Sequence, residues 1–466
     1  MPTHQHQLQH LYLRAGFGIA PQDLVAGLKM PLQEHVERLF AESQVISPLS
    51  LLKDNELKLI KILLAGQEGR SEMVAEALNR GRELNLLWLN RMATNTATLR
   101  EKMTLFWHGH FATRTFNAFF AQLQNNLIRE KALSKFGDLL LSVSKDAAML
   151  QFLNNQQNRK GSPNENFARE LMELFTLGRG NYTESDVKEA ARAFTGWGFN
   201  QQGEFVFRRF FHDADEKIFM GKSGNWGGED IIRMILEKRE TAWFITQKIY
   251  RHFVNEKIDT EIISELAKHF YESEYDIAKL MKKMFTADWF YAPHNIGCRI
   301  KAPVEYITMF RRQFGMQFEP EHALLFLQKL LGQILFYPPN VAGWAEGQNW
   351  IDSSTLMIRT LMPFATWREI ELPVEPKEEG DVNTAFLAQR GFRKLKATAN
   401  WQPLLTLAGN GSERDMLEKL ASYLLQTELS DANQRLILQN TPRHSREAAV
   451  QFISLALASL PEYQLC

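Results

Sequence analysis

The chain is short of cysteine, of net charge and of long apolar runs. Only Cys298 and Cys466 occur among its 466 residues. That excludes a disulfide framework and a zinc site built from several thiolates. Lys plus Arg number 54 and Asp plus Glu 54, a formal net charge of +0. This balance offers no basic footprint for nucleic acid and no overall attraction to anionic membranes. The most apolar stretch, 323–337, is interrupted by Gln328, Lys329 and Gln333. It is too short to cross a bilayer. Residues 1–14, MPTHQHQLQHLYLR, hold neither an apolar core nor a twin arginine, so the expectation is a cytoplasmic protein without a membrane span. His4, His6 and His10 are expected in a mobile tail.

What is present is helical periodicity. Apolar residues recur every three or four positions in segments such as 22–42, 97–109, 117–135, 137–154, 163–177, 240–255 and 301–315. One stretch, 197–219, breaks that rhythm with short aromatic runs around Gly203. It predicts a small β-hairpin or packed loop. Residues 369–384, with two prolines and six acidic residues, read as a linker. The fold class is therefore mainly α: a large multi-helix globular body over 1–368 with a hairpin or loop insertion near 197–219. The linker and a small helical region at 385–466 complete it.

Three segments carry polar chemistry. In 162–178, Ser162, Pro163 and Glu165 read as a capping box, and Gly178 as the stop. Asn166, Arg169, Glu170 and Glu173 then share one helix face. Two carboxylates beside an amide and a guanidinium suit a metal or acid–base chemistry. Glu165–Arg169 and Arg169–Glu173 are equally ordinary ion pairs on a wet surface. His108 and His110 flank Gly109; on a regular helix their rings diverge by about 200°. His212-Asp213, followed by Lys217, suits an oriented base, a pair of ligands or a charged turn. Gly221-Lys222-Ser223 lacks the earlier glycine of a phosphate loop, and Gly16-Phe17-Gly18 lacks the third glycine of a dinucleotide fingerprint. The 337–350 segment, with two prolines, Trp344 and Trp350, reads as a rigid aromatic loop.

Taken in order, these segments resemble one family. They are His10 to Gly18, Phe106 to Phe111, Asn164 to Gly178, Tyr182 to Trp197, His212-Asp213 with Lys217 and Gly221, Lys301 to Glu305, and Pro338 to Trp344. The chain resembles the bacterial Domain of Unknown Function 1800 family over roughly 8–365. The resemblance implies a large, mainly helical domain and no activity. It implies as partner a co-encoded Domain of Unknown Function 1501 protein, sulfatase-like and often carrying an export signal. A signal-less chain would then reach the periplasm bound to such a partner.

Signature histidines and carboxylates would be expected to meet in one cleft. The resulting candidate catalytic set is His108, His110, Glu170, Glu173, His212 and Asp213. The candidate substrate-binding set is Asn166, Arg169, Lys217, Trp197 and Trp344. In a metal-assisted hydrolase acting on a cell-envelope substrate, His108, His110 and Asp213 would hold a divalent metal. Glu170 would be the base, and Arg169 and Lys217 would steady an anionic intermediate. In a non-enzymatic scaffold or maturation partner, the same groups would form a hydrogen-bond network between helices.

Overall fold

Apolar residues at helical spacing do form helices, broken where local chemistry demands it. A computed structural model describes residues 2–54, 67–369 and 395–466. Among these, helices run from His4–Ala15 to Arg446–Ala458, and strands occur only in three two-stranded sheets. The mainly α class is what the structure has. The 22–42 segment makes two helices, Pro21–Gly27 and Leu32–Glu42. Pro31 parts them, because it disfavours helical geometry in the residue before it and has no amide hydrogen. The 137–154 segment likewise splits into Phe136–Ser144 and Ala147–Phe152. Here Asp146 recaps the chain by accepting from the Met149 amide at 3.0 Å.

The hairpin near 197 is present. Trp197–Phe199 pairs antiparallel with Phe205–Phe207, and Lys217–Phe219 with Lys222–Gly224. A third pairing, Gln317–Phe318 with Ala397–Thr398, joins stretches far apart in the chain. The expected linker lies outside the described residues from 370 onward.

The N-terminal histidine segment is no mobile tail. It is the helix His4–Ala15, and His10 is buried against Phe290 and Tyr291. Apolar Leu8, Leu11 and Leu13 bury this helix despite its polar start. Its Arg14 donates to the backbone oxygens of Asn295 (3.0 Å) and Cys466 (2.7 Å). Gln9 donates to the Tyr423 carbonyl, and Tyr423 in turn to that of Ile19. The helices between Gln402 and Ala458 thus share one apolar core with the N-terminal helices.

At the centre runs Thr98–His110, buried at every position but Gly109. Such a helix has no wet face, so its polar residues must find internal partners. Glu101 takes Arg129 (2.8 Å) and the Trp88 indole (3.0 Å), and Lys102 takes Glu305.

Candidate active site

The Thr98–His110 helix sends its two terminal histidines in different directions, as helical spacing requires. His108 lies among Trp88, Phe336 and Trp344, and its Nε2 accepts the Phe336 amide at 3.2 Å. Burial, helped by the charge of Arg129, lowers its basicity to about 3, so the ring stays neutral. It is a wall of the core. His110 instead donates from Nε2 to the Phe175 carbonyl at 3.1 Å, which leaves Nδ1 as an acceptor. Lys248 Nζ stands 3.5 Å from that nitrogen and donates to the Leu174 carbonyl at 3.1 Å.

Lys248 belongs to the helix Arg239–Phe253, whose Ile245, Ile249 and Phe253 face the core. Phe244, Lys248 and His252 follow each other at four-residue spacing. The Lys248 amine also lies 4.8 Å from the Phe244 ring. Burial removes water from the ammonium and brings its basicity down to about 8, partly offset by the Glu346 carboxylate. Burial and then the Lys248 charge hold His110 well below an ordinary histidine.

His110 and Lys248 line a cavity of about 380 Å³. Its remaining wall includes Arg251, His252, Glu256, Arg299, Trp344, Glu346 and Trp350. The loop carrying Trp344 is seated by Gly343. Its φ is +91°, and a Cβ there would stand 2.6 Å from the Gly109 carbonyl oxygen. Behind the cavity, the fully buried Glu305 binds both Arg299 (3.0 and 2.9 Å) and Lys102, and it accepts the Ala302 amide. Burial opposes that carboxylate's charge, but Arg299 and Lys102 overcome the penalty and hold it well below the usual carboxylate range. Pro303, first in the helix Pro303–Phe314, sets the helix start that aims Glu305 inward.

The other sequence-derived residues fall into two further neighbourhoods. The first is the helix Asn166–Glu173, which begins three residues later than a capping box at Ser162 requires. Ser162 is tied instead in a bridge with Arg159, and Asn164 accepts the Asn166 amide at 3.0 Å. Asn166 donates to the Leu153 carbonyl. Arg169 binds Glu165 and, bidentately, Glu184 at 2.7 Å. Glu173 takes Arg179 and Tyr182, not Arg169. Glu170 makes no side-chain hydrogen bond among the described residues, and burial beside Glu173 raises its carboxyl above the ordinary value.

The second neighbourhood is the hairpin insertion. His212 Nδ1 donates to the Thr195 carbonyl at 2.9 Å, and the Thr195 hydroxyl accepts the Asp213 amide. Asp213 pairs with Arg192 at 2.7 Å. Lys217, buried, donates to the carbonyls of Asp213 and Asp215. Trp197 is buried edge-on to Phe194 and Phe205. Of the whole candidate set, His110 and Trp344 line the cavity.

His108, His110 and Asp213 have separate partners. No group of three or more His, Cys, Asp or Glu placed to hold a metal occurs among the described residues. The donor set therefore does not fit the divalent metal expected of it, since His108 spends Nε2 on a backbone amide and Asp213 is neutralised by Arg192. Lys248, Arg251, His252, Glu256, Arg299 and Glu346 went unnoticed in the sequence. A lysine at core-face spacing in Arg239–Phe253 was the available signal.

A family model described as a protein of unknown function (DUF1800) matches residues 10–465, reaching through the C-terminal helices. No curated protein and no solved structure matches the chain.

Proposed function

Because the chain belongs to the DUF1800 family, whose function is unknown, we propose its function from the cavity itself: it is a hydrolase in which Lys248 is the general base. The observation that carries this reading is a half-buried amine, weakened to about 8, fixed between the Leu174 carbonyl and His110 Nδ1 at the cavity wall. A neutral amine there accepts a proton from a water that attacks an electrophilic carbon or phosphorus, and the resulting ammonium gives it to the leaving group as its bond to that centre breaks. Arg299 is committed to Glu305, so Arg251 is the guanidinium of the cavity wall that meets the negative charge that develops, and Trp344 and Trp350 flank a bound group. A polar fragment of a cell-envelope polymer is the substrate class that suits these dimensions and this lining.

The test is competitive acylation followed by peptide mass analysis. Lys248 should reach half-maximal reactivity near pH 8, whereas free lysines do so near ~10.4. In parallel, chromogenic carboxylic esters, phosphate esters and glycosides should reveal a turnover that Lys248→Met loses while its melting temperature is kept. If Lys248 labels in step with surface lysines, or the turnover survives in Lys248→Met, the reading fails.

A second reading is a scaffold or maturation partner for a co-encoded sulfatase-like protein. What supports it is that His108, His212, Asp213 and Lys217 each bond to a partner within the fold. The compartment follows from the choice: cytoplasmic for a chain acting alone, periplasmic for one carried out by a signal-bearing partner. Co-purification from cells expressing the neighbouring genes separates the two.

A further inference from the structure

We propose that the turn carrying Phe210 is a docking tip for anionic lipid bilayers. Phe210 sits in the short turn Arg209–Phe211, just after the strand Phe205–Phe207. It is 79% exposed, the highest value among the exposed large apolar side chains described, and Phe207 three residues earlier is 43% exposed. A lone apolar side chain in water needs no explanation, but a rigidly presented aromatic tip does. The turn is held from both sides. The Lys160 amide donates to the Phe211 carbonyl at 2.8 Å, and the Arg208 amide to that of Gly196 at 2.8 Å. The Arg159 guanidinium packs 4.3 Å from the Phe211 ring centre, which fixes the neighbouring ring.

The charge around this tip is mainly positive. Lys160 Nζ lies 5.3 Å from the Phe210 ring centre, and Arg159 and Arg209 are exposed on either side. None of the three pairs with a carboxylate among the described residues. The acids closest in sequence are committed elsewhere: Glu165 to Arg169, Glu204 to Asn200 and Asp213 to Arg192. Asp215 stands near the buried Lys217 ammonium, and Glu216 is exposed on the next turn, one acid against the three cations. The neutral total charge therefore conceals a local cationic excess around an exposed ring.

A bilayer surface matches this arrangement: the ring enters the headgroup boundary while the three cations meet lipid phosphates. A protein partner would have to offer a pocket for a protruding ring and acids for all three cations at once. The tip is separate from the Lys248 cavity, so neither proposal depends on the other.

Sedimentation of the full chain with vesicles tests it. On vesicles of equal parts phosphatidylcholine and phosphatidylglycerol the protein should pellet at low salt, and on phosphatidylcholine alone it should stay in solution. Raising salt should release it, because exposed charges are screened beyond about 8 Å at physiological ionic strength. Lys160→Glu and Arg209→Glu should each weaken binding about fivefold or more, since one cation near such a surface contributes about that factor. Phe210→Ser should weaken it severalfold with an unchanged melting temperature. Wild type that stays in solution, that pellets equally on both vesicles, or that ignores salt overturns the proposal. So do folded variants that pellet like wild type.

Discussion

His10, His108, His110 and His252 are all held below ordinary histidine basicity, in each case chiefly by burial. A base weakened by folding binds fewer protons in the native than in the unfolded chain. Its stabilising contribution is complete above the unfolded value of 6.5 and is lost as pH falls toward the folded value. Asp146, pushed up to about 7 by burial, acts oppositely: its contribution is complete below 3.8 and is lost as pH rises through 7. His35 is lowered in the same way, and these five histidines outnumber the carboxyls raised by burial, Asp146, Glu42 and Glu170, so stability should fall between pH 6.5 and 4.5. Urea melts across that range measure it. His110→Gln, which still offers an amide to the Phe175 carbonyl but cannot titrate, should flatten the slope. A stability curve that is level over this range would mean the rings are hydrated.

The helix Asn166–Glu173 differs from its sequence pattern at its start. Its amphipathic face was legible, because Phe167 and Leu171 are buried and Arg169, Glu170 and Glu173 are not. Its start was not. Ser162-Pro163 looks like a helix entrance, yet Asn158 accepts the Asn164 amide at 2.9 Å and draws the chain into a turn first. Asn164→Ala should therefore cost about 1 kcal/mol, the usual loss of a cap, and Ser162→Ala only a few tenths. Denaturant midpoints of the two variants decide between the two starts. The same helix end supplies the carbonyls of Leu174 and Phe175 that position Lys248 and His110. A sequence motif thus contributes to the cavity through backbone atoms, which no pattern of side chains can announce.

At the scale of the molecule, the last residues are part of the frame. Cys466 exchanges backbone hydrogen bonds with Arg299, and Lys301 reaches the Gln464 carbonyl. Tyr463, buried, donates to Gln313 at 2.6 Å, and Arg14 closes on the Cys466 carbonyl. Removing residues 461–466 would leave Arg14 and Arg359 short of buried partners and open the core beneath Tyr306. Each buried group left unpaired costs about 1–3 kcal/mol, so the shortened chain should not reach the native fold at 37 °C. A soluble, cooperatively melting product of that length would refute this.

Helix content, the hairpin at 197–207, the lack of a bilayer-length apolar helix among the described residues and the family itself were all readable from local patterns. Each depends on spacing within one segment or on the order of segments, which the chain carries without folding. The meeting of Lys248 with His110, the diversion of His108 into the core beside Phe336 and the pairing of Asp213 with Arg192 join residues 21 to 228 positions apart. Which polar group is spent on a neighbour and which is left facing a cavity depends on burial in three dimensions. Burial also sets the protonation of Lys248, because dehydrating an ammonium requires walls contributed by several helices.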